Sequence, residues 1–407
     1  MRKVRPAVAA KAGGPSRRTR AKRTAKAIPY AHQSIDNTDI RSVTEVLRSD
    51  WITTGPKVHE FEVAVADYVG ARSGVAVSNG TAALHAAAFA AGIGPGDEVI
   101  VPAMTFAASA NCVLYVGGTP VFADVHADTL LLDPARVEAK LSPRTKAIMA
   151  VDYAGQPCDY EALRRIADRH GLTLIADSAH ALGAMYKGRK VGTLADLTTF
   201  SFHAVKHVTT GEGGMVVTDD PELEARIRRF RNHGISTDAH AREEKGTWYY
   251  EMVDLGYNYR LTDIQCALGL SQLRRLPKSL ARRRAIAKRY DKAFASMAGV
   301  EPIAVSPDVL HAYHLYVIEI DAKQTGIDRD TAFRRLREEG IGVNVHYIPV
   351  HLHPYYRRRF GFGPGMCPVA ERAYERILSL PMFPAMTEAD VERVLSSVGQ
   401  VIQAMGP

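Results

Sequence analysis

Three segments of this sequence place polar residues directly after apolar runs of strand length. The first carries Gly80 and Thr81 at the expected start of a helix, where free backbone N–H groups could bind a phosphate. The second ends in Asp177, and the third places Lys206 just before a glycine-rich loop. Because ligands of open α/β sheets bind beyond the carboxyl ends of the strands, we expect these residues to share one site.

Each segment taken singly also fits a purely structural role. Gly80 and Thr81 could form an ordinary helix start, Asp177 could cap the next element, and Lys206 could be a solvated surface charge. Together they match the layout of a pyridoxal phosphate site. There, a lysine amine binds the aldehyde, a carboxylate keeps the pyridine nitrogen protonated, and a helix start binds the phosphate. Phe106, at another expected strand end, could cover the ring face.

The elements that would position these residues alternate between strands and helices from about residue 74. Several predicted strands are continuous apolar runs, as expected for strands covered on both faces. The seven predicted strands span residues 74–77, 98–101, 120–125, 147–153, 172–176, 197–202 and 214–218. The predicted helices between them span residues 81–91, 107–116, 134–141 and 159–170. The pattern predicts a large α/β domain over residues 28–265, with a mostly parallel seven-stranded sheet covered by helices on both sides.

The pattern changes after about residue 265. A long helical stretch with many basic residues covers residues 261–298. It is followed by predicted strands at 315–320 and 343–347 and by predicted helices at 329–339, 369–377 and 388–404. Residues 266–407 are therefore expected to form a hinge helix and a smaller α+β domain.

The basic charge of the chain is concentrated at its beginning. Lys and Arg number 52 against 44 Asp and Glu, but ten of the basic residues and no acidic residue lie within residues 1–26. The remainder has 42 basic and 44 acidic residues, a difference of −2. We expect residues 1–27 to be a disordered tail. It could bind nucleic acid or an anionic surface, act as a transit peptide, or have no function.

Composition excludes several other classes of protein. No apolar run approaches the roughly 20 residues that a membrane helix needs. The fifteen histidines and four cysteines show no metal-ligand spacing, so we expect no metal site. We expect the cysteines to be reduced, mostly buried thiols of a cytoplasmic protein: Cys112, Cys158, Cys266 and Cys367.

From about residue 28 to its end, the sequence resembles the fold-type I pyridoxal phosphate enzymes called sugar-nucleotide aminotransferases, the DegT/DnrJ/StrS family. The resemblance is carried by the segments SNGTAALHAA, ADSAHALGA, SFHAVKHVTTGEGGMVVT and GYNYRLTDIQCALGLSQL. The segments VDYAGQPCDYEAL and NVHYIPVHLHPYY look most like the branch of pseudaminic acid biosynthesis, which aminates C4 of a UDP-linked keto sugar.

The resemblance implies a role for each residue that matches a family motif. Lys206 matches the Schiff-base lysine, Asp177 the carboxylate on the pyridine nitrogen, and His180 a residue near the phenolic oxygen of the cofactor. Phe106 matches the stacking aromatic residue. The residues that match the phosphate-binding group are Gly80, Thr81 and Ser201.

Other matches concern a second subunit and the substrates. Asn258 matches a residue that reaches the cofactor phosphate of the neighbouring subunit, which implies a homodimer with shared active sites. The segments expected to line the sugar-nucleotide pocket are Trp51, Ile52 and Thr53, and Asn344, Val345, His346 and Tyr347. For the carboxylate of glutamate, Arg231 and Arg260 are candidates, although both could be ordinary surface charges.

The implied reaction is transamination of a 4-keto-6-deoxy UDP-N-acetylhexosamine with L-glutamate as amino donor. Retention of Lys206 favours transamination over the dehydration carried out by a branch with histidine at that position. Two alternatives remain open. The chain could aminate a different nucleotide keto sugar, at C3 or on a dTDP or GDP carrier, or it could be a regulatory nucleic-acid-binding protein that reuses the fold.

Overall fold

A computed structural model describes residues 26–237 and 246–403, so most of the basic segment 1–27 lies outside the described residues. The strands in these ranges are β1 Ser73–Val77, β2 Glu98–Pro102, β3 Thr119–Ala123, β4 Thr145–Val151, β5 Thr173–Asp177, β6 Met185–Tyr186, β7 Arg189–Lys190, β8 Leu197–Ser201, β9 Gly214–Thr218, β10 Val300–Pro302, β11 Val309–Leu310, β12 Tyr316–Ile320 and β13 Ile377–Leu380. The α-helices are α1 Asn37–Leu47, α2 Pro56–Val69, α3 Gly80–Ala90, α4 Ala108–Tyr115, α5 Pro134–Glu138, α6 Tyr160–His170, α7 Pro221–Arg231, α8 Asp263–Phe294, α9 Ala322–Thr325, α10 Arg329–Glu338, α11 Pro354–Phe360, α12 Pro368–Arg376 and α13 Glu388–Gln403. Short 3₁₀ helices span Tyr153–Gly155 and Val350–Leu352.

The large sheet contains all seven strands that the sequence predicts, in the order β1-β9-β8-β5-β4-β2-β3. Strand β9 is antiparallel to both of its neighbours, and the other pairs are parallel. Every residue of β2 and β9 is buried, which explains why these strands read as continuous apolar runs. The prediction of a mostly parallel α/β sheet is confirmed.

The sheet brings the predicted polar segments to one edge. In the parallel pair β5 and β8, Asp177 lies opposite Thr199, close to the carboxyl end of each strand. Gly214, the first residue of β9, lies opposite Ser201 on one side and Val77 on the other. Strands β1, β5 and β8 therefore end on the same side, where helix α3 begins.

A glycine permits the close approach of helix α3 to this edge. A Cβ atom on Gly214 would lie 2.4 Å from the carbonyl oxygen of Asn79. Asn79 is the N-cap of α3, and its side chain accepts a hydrogen bond from the Ala82 N–H. A larger residue at position 214 would push the helix start away from the strand ends.

Helix α8 links two hydrophobic clusters. It begins with a capping box in which the hydroxyl of Thr262 accepts from the backbone of Gln265 and the Gln265 side chain accepts in return. Its first half packs on the cluster around the large sheet, through residues such as Leu273 and Leu276. Its second half contributes to a separate cluster: Ile286, Ala287, Tyr290 and Phe294.

The second cluster covers a small antiparallel sheet of order β10-β12-β13. Ile28 also packs in this cluster, and its backbone exchanges hydrogen bonds with Gly340 and Gly342. Conversely, Cys367, Ala370 and other C-terminal residues pack on the cluster of the large sheet. The chain therefore crosses between the two clusters more than once.

The prediction of a strand at 343–347 is wrong. This extended segment makes only an isolated bridge, between Asn344 and Ser379. The side chain of Asn344 accepts from the Val345 N–H, and His346 Nδ1 lies 2.8 Å from the Ser379 hydroxyl. Side chains that bond to neighbouring groups compete with a regular ladder, so the segment lies beside β13 without extending the sheet.

The structure also bears on the classes of protein considered from composition. Within residues 26–237 and 246–403, no helix combines the length and hydropathy required to cross a membrane. In the same ranges, no group of three or more His, Cys, Asp or Glu side chains is placed to hold a metal ion. All four cysteines are buried and unpaired, as predicted.

Candidate active site

A cavity of about 830 Å³ opens at the edge where β1, β5 and β8 end. It brings together most of the residues singled out from the sequence. The predicted residues that line it are Gly80, Thr81, Phe106, Asp177, His180, Ser201, Lys206, Asn344, Val345, His346 and Tyr347.

One end of the cavity is the start of helix α3. The first N–H groups of a helix have no intrahelical acceptor, so this end favours an anion. A Cβ atom on Gly80 would lie 2.9 Å from the Cβ and 3.1 Å from the hydroxyl of Ser201. The glycine therefore keeps a space open between the helix start and the Ser201 hydroxyl, and Thr81 lies beside it. A phosphate group fits this space and this set of donors.

Asp177 is the carboxylate of the site, and it is held in a defined orientation. Its Oδ2 accepts a hydrogen bond from the Ser109 hydroxyl at 2.6 Å, and its Oδ1 accepts from the Ala179 N–H at 3.2 Å. Burial raises the pKa of Asp177, an effect that these two hydrogen bonds and the charge of Lys206 partly offset. A buried carboxylate of this kind requires a cationic partner, and a protonated pyridine nitrogen is a suitable one.

Lys206 lies across the cavity from the helix start and is partly exposed to it. Burial lowers the pKa of Lys206 to about 8, whereas the charge of Asp177 acts in the opposite direction. Its nearest hydrogen-bonding group is Nε2 of His314, at 3.5 Å. The amine is thus held without a strong partner and loses its proton near neutral pH, which suits a nucleophile and proton carrier.

Histidines beside the lysine are held in their neutral forms. Burial lowers the pKa of His180 and of His314 well below the usual range, and the charge of Lys206 lowers both further. The two rings lie with centroids 4.3 Å apart, and each has a buried Nδ1 without a hydrogen-bond partner. Unpartnered polar atoms in such a place are typical of a site that binds a polar ligand.

Aromatic residues form one wall of the cavity. The Tyr347 hydroxyl lies 3.1 Å from Nε2 of His180, and the Tyr347 ring lies 5.9 Å from the ring of Phe106. The side chain of Phe106 is 60% exposed and faces the open cavity. An exposed aromatic face at this position can cover a flat heteroaromatic ring.

Four predicted site residues lie outside the lining of this cavity. The Trp51 and Ile52 side chains are about half exposed on the surface, and Thr53 is exposed beside them. This loop is fixed from behind by Asp263, whose N–H donates to the Ile52 carbonyl. Asn258 is exposed and pairs by a backbone bridge with Asn232. In a single chain, these residues cannot contact a ligand in the cavity.

The candidates for binding the carboxylate of glutamate are also outside the lining. Arg231 donates hydrogen bonds to the buried Glu62 and to the Ala76 carbonyl. Burial would raise the pKa of Glu62, but Arg231 and Arg228 keep it lowered, so this arginine neutralises a buried carboxylate. Arg260 donates to the Asn232 side chain at 2.7 Å. Neither arginine lines the cavity of its own chain, so their role toward glutamate stays a prediction.

The sequence reading missed several residues that the structure places in the site. Ser109 donates a hydrogen bond to Asp177, and His314 lies beside Lys206. Tyr30 and Thr105 also line the cavity. Ser109 lies in the segment TFAASAN after β2, so its position near a strand end was a readable signal. His314 and Tyr30 lie far along the chain from the three strand-end segments, and no local pattern marks them.

Comparison with known proteins agrees with this geometry. Residues 33–399 match the profile of the DegT/DnrJ/EryC1/StrS aminotransferase family. The spore coat polysaccharide biosynthesis protein SpsC of Bacillus subtilis (strain 168) is 45% identical over 378 residues, which cover 92% of this chain and 97% of SpsC.

Two solved structures extend the comparison to the fold. The PLP form of the putative sugar aminotransferase Spr1654 from Streptococcus pneumoniae has 34% identity and a TM-score of 0.87, covering 94% of this chain and 100% of that one. Helicobacter pylori PseC, an aminotransferase involved in the biosynthesis of pseudoaminic acid, has 32% identity and a TM-score of 0.87, covering 93% of this chain and 100% of PseC.

These similarities and the cavity agree on the cofactor. The helix start with its open space fits the phosphate of pyridoxal phosphate, and the buried carboxylate fits its pyridine nitrogen. The lysine of lowered pKa fits the aldehyde, and the exposed aromatic face fits the ring. The chain belongs to the DegT/DnrJ/EryC1/StrS family and is a fold-type I, pyridoxal phosphate-dependent sugar aminotransferase.

Proposed function

We propose that this chain transfers the amino group of L-glutamate to C4 of a 4-keto-6-deoxy UDP-N-acetylhexosamine, giving a UDP-4-amino-4,6-dideoxy-N-acetyl sugar. The observation that carries the transaminase chemistry is that Lys206 and Asp177 line one cavity. Burial there lowers the pKa of the lysine and raises the pKa of the carboxylate. Pyridoxal phosphate, when bound, supplies an electron sink and stores the amino group between two half-reactions.

The chain's own residues would first bind and orient the cofactor. Gly80, Thr81 and Ser201 hold the phosphate through backbone N–H and hydroxyl groups. Asp177, held in place by Ser109, would pair with the pyridine nitrogen and keep it protonated. His180 would interact with the phenolic oxygen, and Phe106 would cover one ring face. These assignments follow from the family match and from the positions of the side chains around the cavity.

Lys206 would carry the proton in both half-reactions. Its amine takes the proton from Cα of glutamate, and in the second half-reaction it delivers a proton to C4 of the sugar. The lowered pKa supports both tasks, because an amine that titrates near pH 8 can accept and release protons at neutral pH. The neutral His180 and His314 rings beside it do not supply a competing charge.

The size and the lining of the cavity support a large second substrate. A volume of about 830 Å³ exceeds what a cofactor ring and an amino acid fill, and it lies in the range of pockets for larger ligands. The segment Asn344–Tyr347 places amide, imidazole and phenol groups on the side opposite the sheet. The likeness to PseC supports an N-acetylated UDP sugar of the pseudaminic acid route as that substrate.

A second copy of the chain would complete the site. Asn258 lies among exposed apolar side chains, including Trp248 at 84%, Met252 at 68% and Leu255 at 74% exposure. An exposed apolar surface of this kind is typical of a protein–protein interface. Burial of this surface in a homodimer would bring Asn258 to the cofactor phosphate of the partner, as the family match implies.

A coupled assay tests the proposed substrate. Purified holoenzyme receives L-glutamate and the 4-keto-6-deoxy UDP-sugar inverted at C5, and formation of 2-oxoglutarate is followed. We expect turnover with this epimer and not with its uninverted counterpart. Turnover only with a dTDP- or GDP-linked keto sugar, or amination at C3, would overturn the proposed substrate. Glutamate alone should still bleach the cofactor absorbance, which separates a wrong sugar from an inactive preparation.

A further inference from the structure

A second cavity, of about 380 Å³, also reaches the catalytic lysine. Lys206 lines both cavities, but the other residues of the second one come from different elements: the N-terminal segment before α1, the loop after β8, and helix α8. It is large enough for a small hydrated ion and less than half the volume of the first cavity. Neither the family match nor the proposed reaction gives it a role.

One face of helix α8 makes this cavity cationic. Arg275, Lys278, Ser279 and Arg282 are spaced by three and four residues, so they form a continuous stripe, and all of them line the cavity. Arg283 and Lys206 add two more cations. Against these five cationic side chains, Asp36 is the one carboxylate among the described lining residues.

Two of the cations on α8 are already neutralised by carboxylates. Arg275 forms ion pairs with Asp36, at 3.2 Å, and with the buried Asp39. Arg282 forms an ion pair with Glu388 at 2.6 Å. These contacts leave Lys278, Arg283 and Lys206 as the lining cations without a carboxylate partner among the described residues.

Lys278 and Arg283 have no such partner. Within the part of the chain that the structure describes, neither forms an ion pair with a carboxylate. Arg283 is 1% exposed, and its Nη1 donates to the carbonyls of Tyr313, His314 and Met382. Its Nε is buried without an acceptor. A buried guanidinium that contacts only carbonyl groups retains its full positive charge, which is costly unless an anion lies nearby.

One neutral donor adds to the lining, the hydroxyl group of Ser279. The Gln272 amide already donates to the Ser34 carbonyl and to Asp39, and the Thr209 hydroxyl donates to the Phe202 carbonyl. A hydroxyl donor combined with guanidinium and ammonium groups is a set that binds phosphate and carboxylate oxygens in proteins. Besides Lys206, the four lining cations pair with three carboxylates, Asp36, Asp39 and Glu388, which leaves a net positive charge that favours an anionic ligand.

We propose that the second cavity is a binding site for a small dianion, either inorganic phosphate or a dicarboxylate. The bound dianion neutralises Lys278 and Arg283 and lies within the cavity that reaches Lys206 from outside the cofactor site. This site is independent of which keto sugar the enzyme aminates. It is distinct from the phosphate-binding start of α3, which lines the first cavity alone.

Isothermal titration calorimetry on the holoenzyme tests the proposal, because the cofactor then occupies its own phosphate site. The probes are orthophosphate and succinate, a dicarboxylate that cannot undergo transamination, with acetate as the monovalent control. We expect binding of at least one dianion at millimolar concentration or better, weaker binding of acetate, and a loss of affinity as salt is added. Tighter binding of orthophosphate identifies inorganic phosphate as the source, and tighter binding of succinate identifies a dicarboxylate.

Two lysines on the same helix provide a matched pair of variants. Both lysines are exposed, but Lys278 lines the cavity, whereas Lys288, ten residues further along α8, lies outside its lining. We expect Lys278→Gln to weaken dianion binding by about fivefold and Lys278→Glu by more, because each removes positive charge from the site. Lys288→Gln should bind as the unmodified enzyme does. Absence of binding, or equal affinities in Lys278→Gln and Lys288→Gln, would overturn the proposal.

Discussion

The two sides of the active-site cavity are built in different ways. The cofactor side, comprising Gly80, Thr81, Asp177, Ser201 and Lys206, lies on strand ends and on the helix that follows β1. The substrate side comprises the extended segment Asn344–Tyr347 and the residues expected to join it: Trp51, Ile52 and Thr53. The five residues of the first side line one cavity of a single chain, whereas those three residues lie on its surface, as does Asn258, which is expected at the cofactor phosphate of the partner's site.

This difference shows which part of the chemistry is fixed by the fold of a single chain. The cofactor side is held by sheet register, a helix cap and a hydrogen bond between Ser109 and Asp177. These interactions form within one large hydrophobic cluster and do not depend on a second subunit. Trp51, Ile52 and Thr53, expected on the substrate side, lie exposed on a loop. We therefore propose that cofactor chemistry and choice of sugar reside in separate parts of the molecule.

The strongest test of the cofactor side is substitution of Lys206. We expect Lys206→Ala to lower turnover by about 10⁴-fold or more, because the nucleophile and the proton carrier are lost together. The absorbance of the lysine-bound cofactor should also disappear. Steady-state assays and absorption spectra measure both effects. Lys206→Arg, which keeps a positive charge but cannot release a proton, should be as inactive; substantial activity in either variant would contradict the assigned role.

Substitution of Asp177 should have the next largest effect. Asp177→Asn keeps the size and the Ser109 contact but removes the charge that would face the pyridine nitrogen. We expect turnover to fall by about 10²-fold, with cofactor still bound. Asp196→Asn is a matched control, because Asp196 precedes the neighbouring strand β8 and bonds to Leu174 and Arg164 away from the cavity. Equal activities of the two variants would refute the role of Asp177.

The lowered pKa of Lys206 gives a testable pH dependence. Only the neutral amine can attack an aldehyde, so the rate at which apoenzyme takes up pyridoxal phosphate should rise with pH and reach half its limit near pH 8. Because the negative charge of Asp177 raises this pKa, the midpoint in Asp177→Asn should lie at lower pH. Absorbance-monitored uptake measures both midpoints. A midpoint near 10.5 in the unmodified chain would mean that burial does not tune this lysine.

The smallest effect is expected for the residue that holds Asp177. Ser109→Ala removes the 2.6 Å hydrogen bond to Oδ2, which should lower turnover by about tenfold. It should also raise the pKa of Asp177 further, because that hydrogen bond stabilises the charged form. Ser271→Ala is the control, since Ser271 is a buried serine without a hydrogen-bond partner. Equal turnover in the two variants would show that the orientation of Asp177 does not depend on Ser109.

Much of the large domain was predictable because its strands are buried on both faces. All seven strands of the large sheet lie close to their predicted bounds. Helices α1, α2 and α7 were missed, although Asp36 and Asp220 are N-caps and Pro56 and Pro221 are typical first helical residues. Strands β6, β7 and β11 have two residues each, too few for any periodic pattern.

The site was predictable where a motif lies in one stretch of sequence. Gly80, Asp177 and Lys206 each follow a strand, so their proximity followed from the sheet alone. The contacts of Arg231 with Glu62 and of Lys206 with His314 join residues more than 100 positions apart. Such pairs depend on packing between elements. For the same reason, sequence could not show that Trp51 lies outside the cavity of its own chain, whereas the family resemblance already implied that Asn258 serves the neighbouring subunit.

The most direct test of a site shared between two subunits is a subunit complementation experiment. Lys206→Ala and Asn258→Ala chains are denatured together, refolded as a mixture and assayed beside each variant refolded alone. If Asn258 serves the partner's site, a mixed dimer has one site in which both residues are intact, so random pairing should restore about a quarter of the unmodified activity. If both residues serve the same chain's site, no mixed dimer contains an intact site. Activity of the mixture no higher than that of the separate variants would contradict the account.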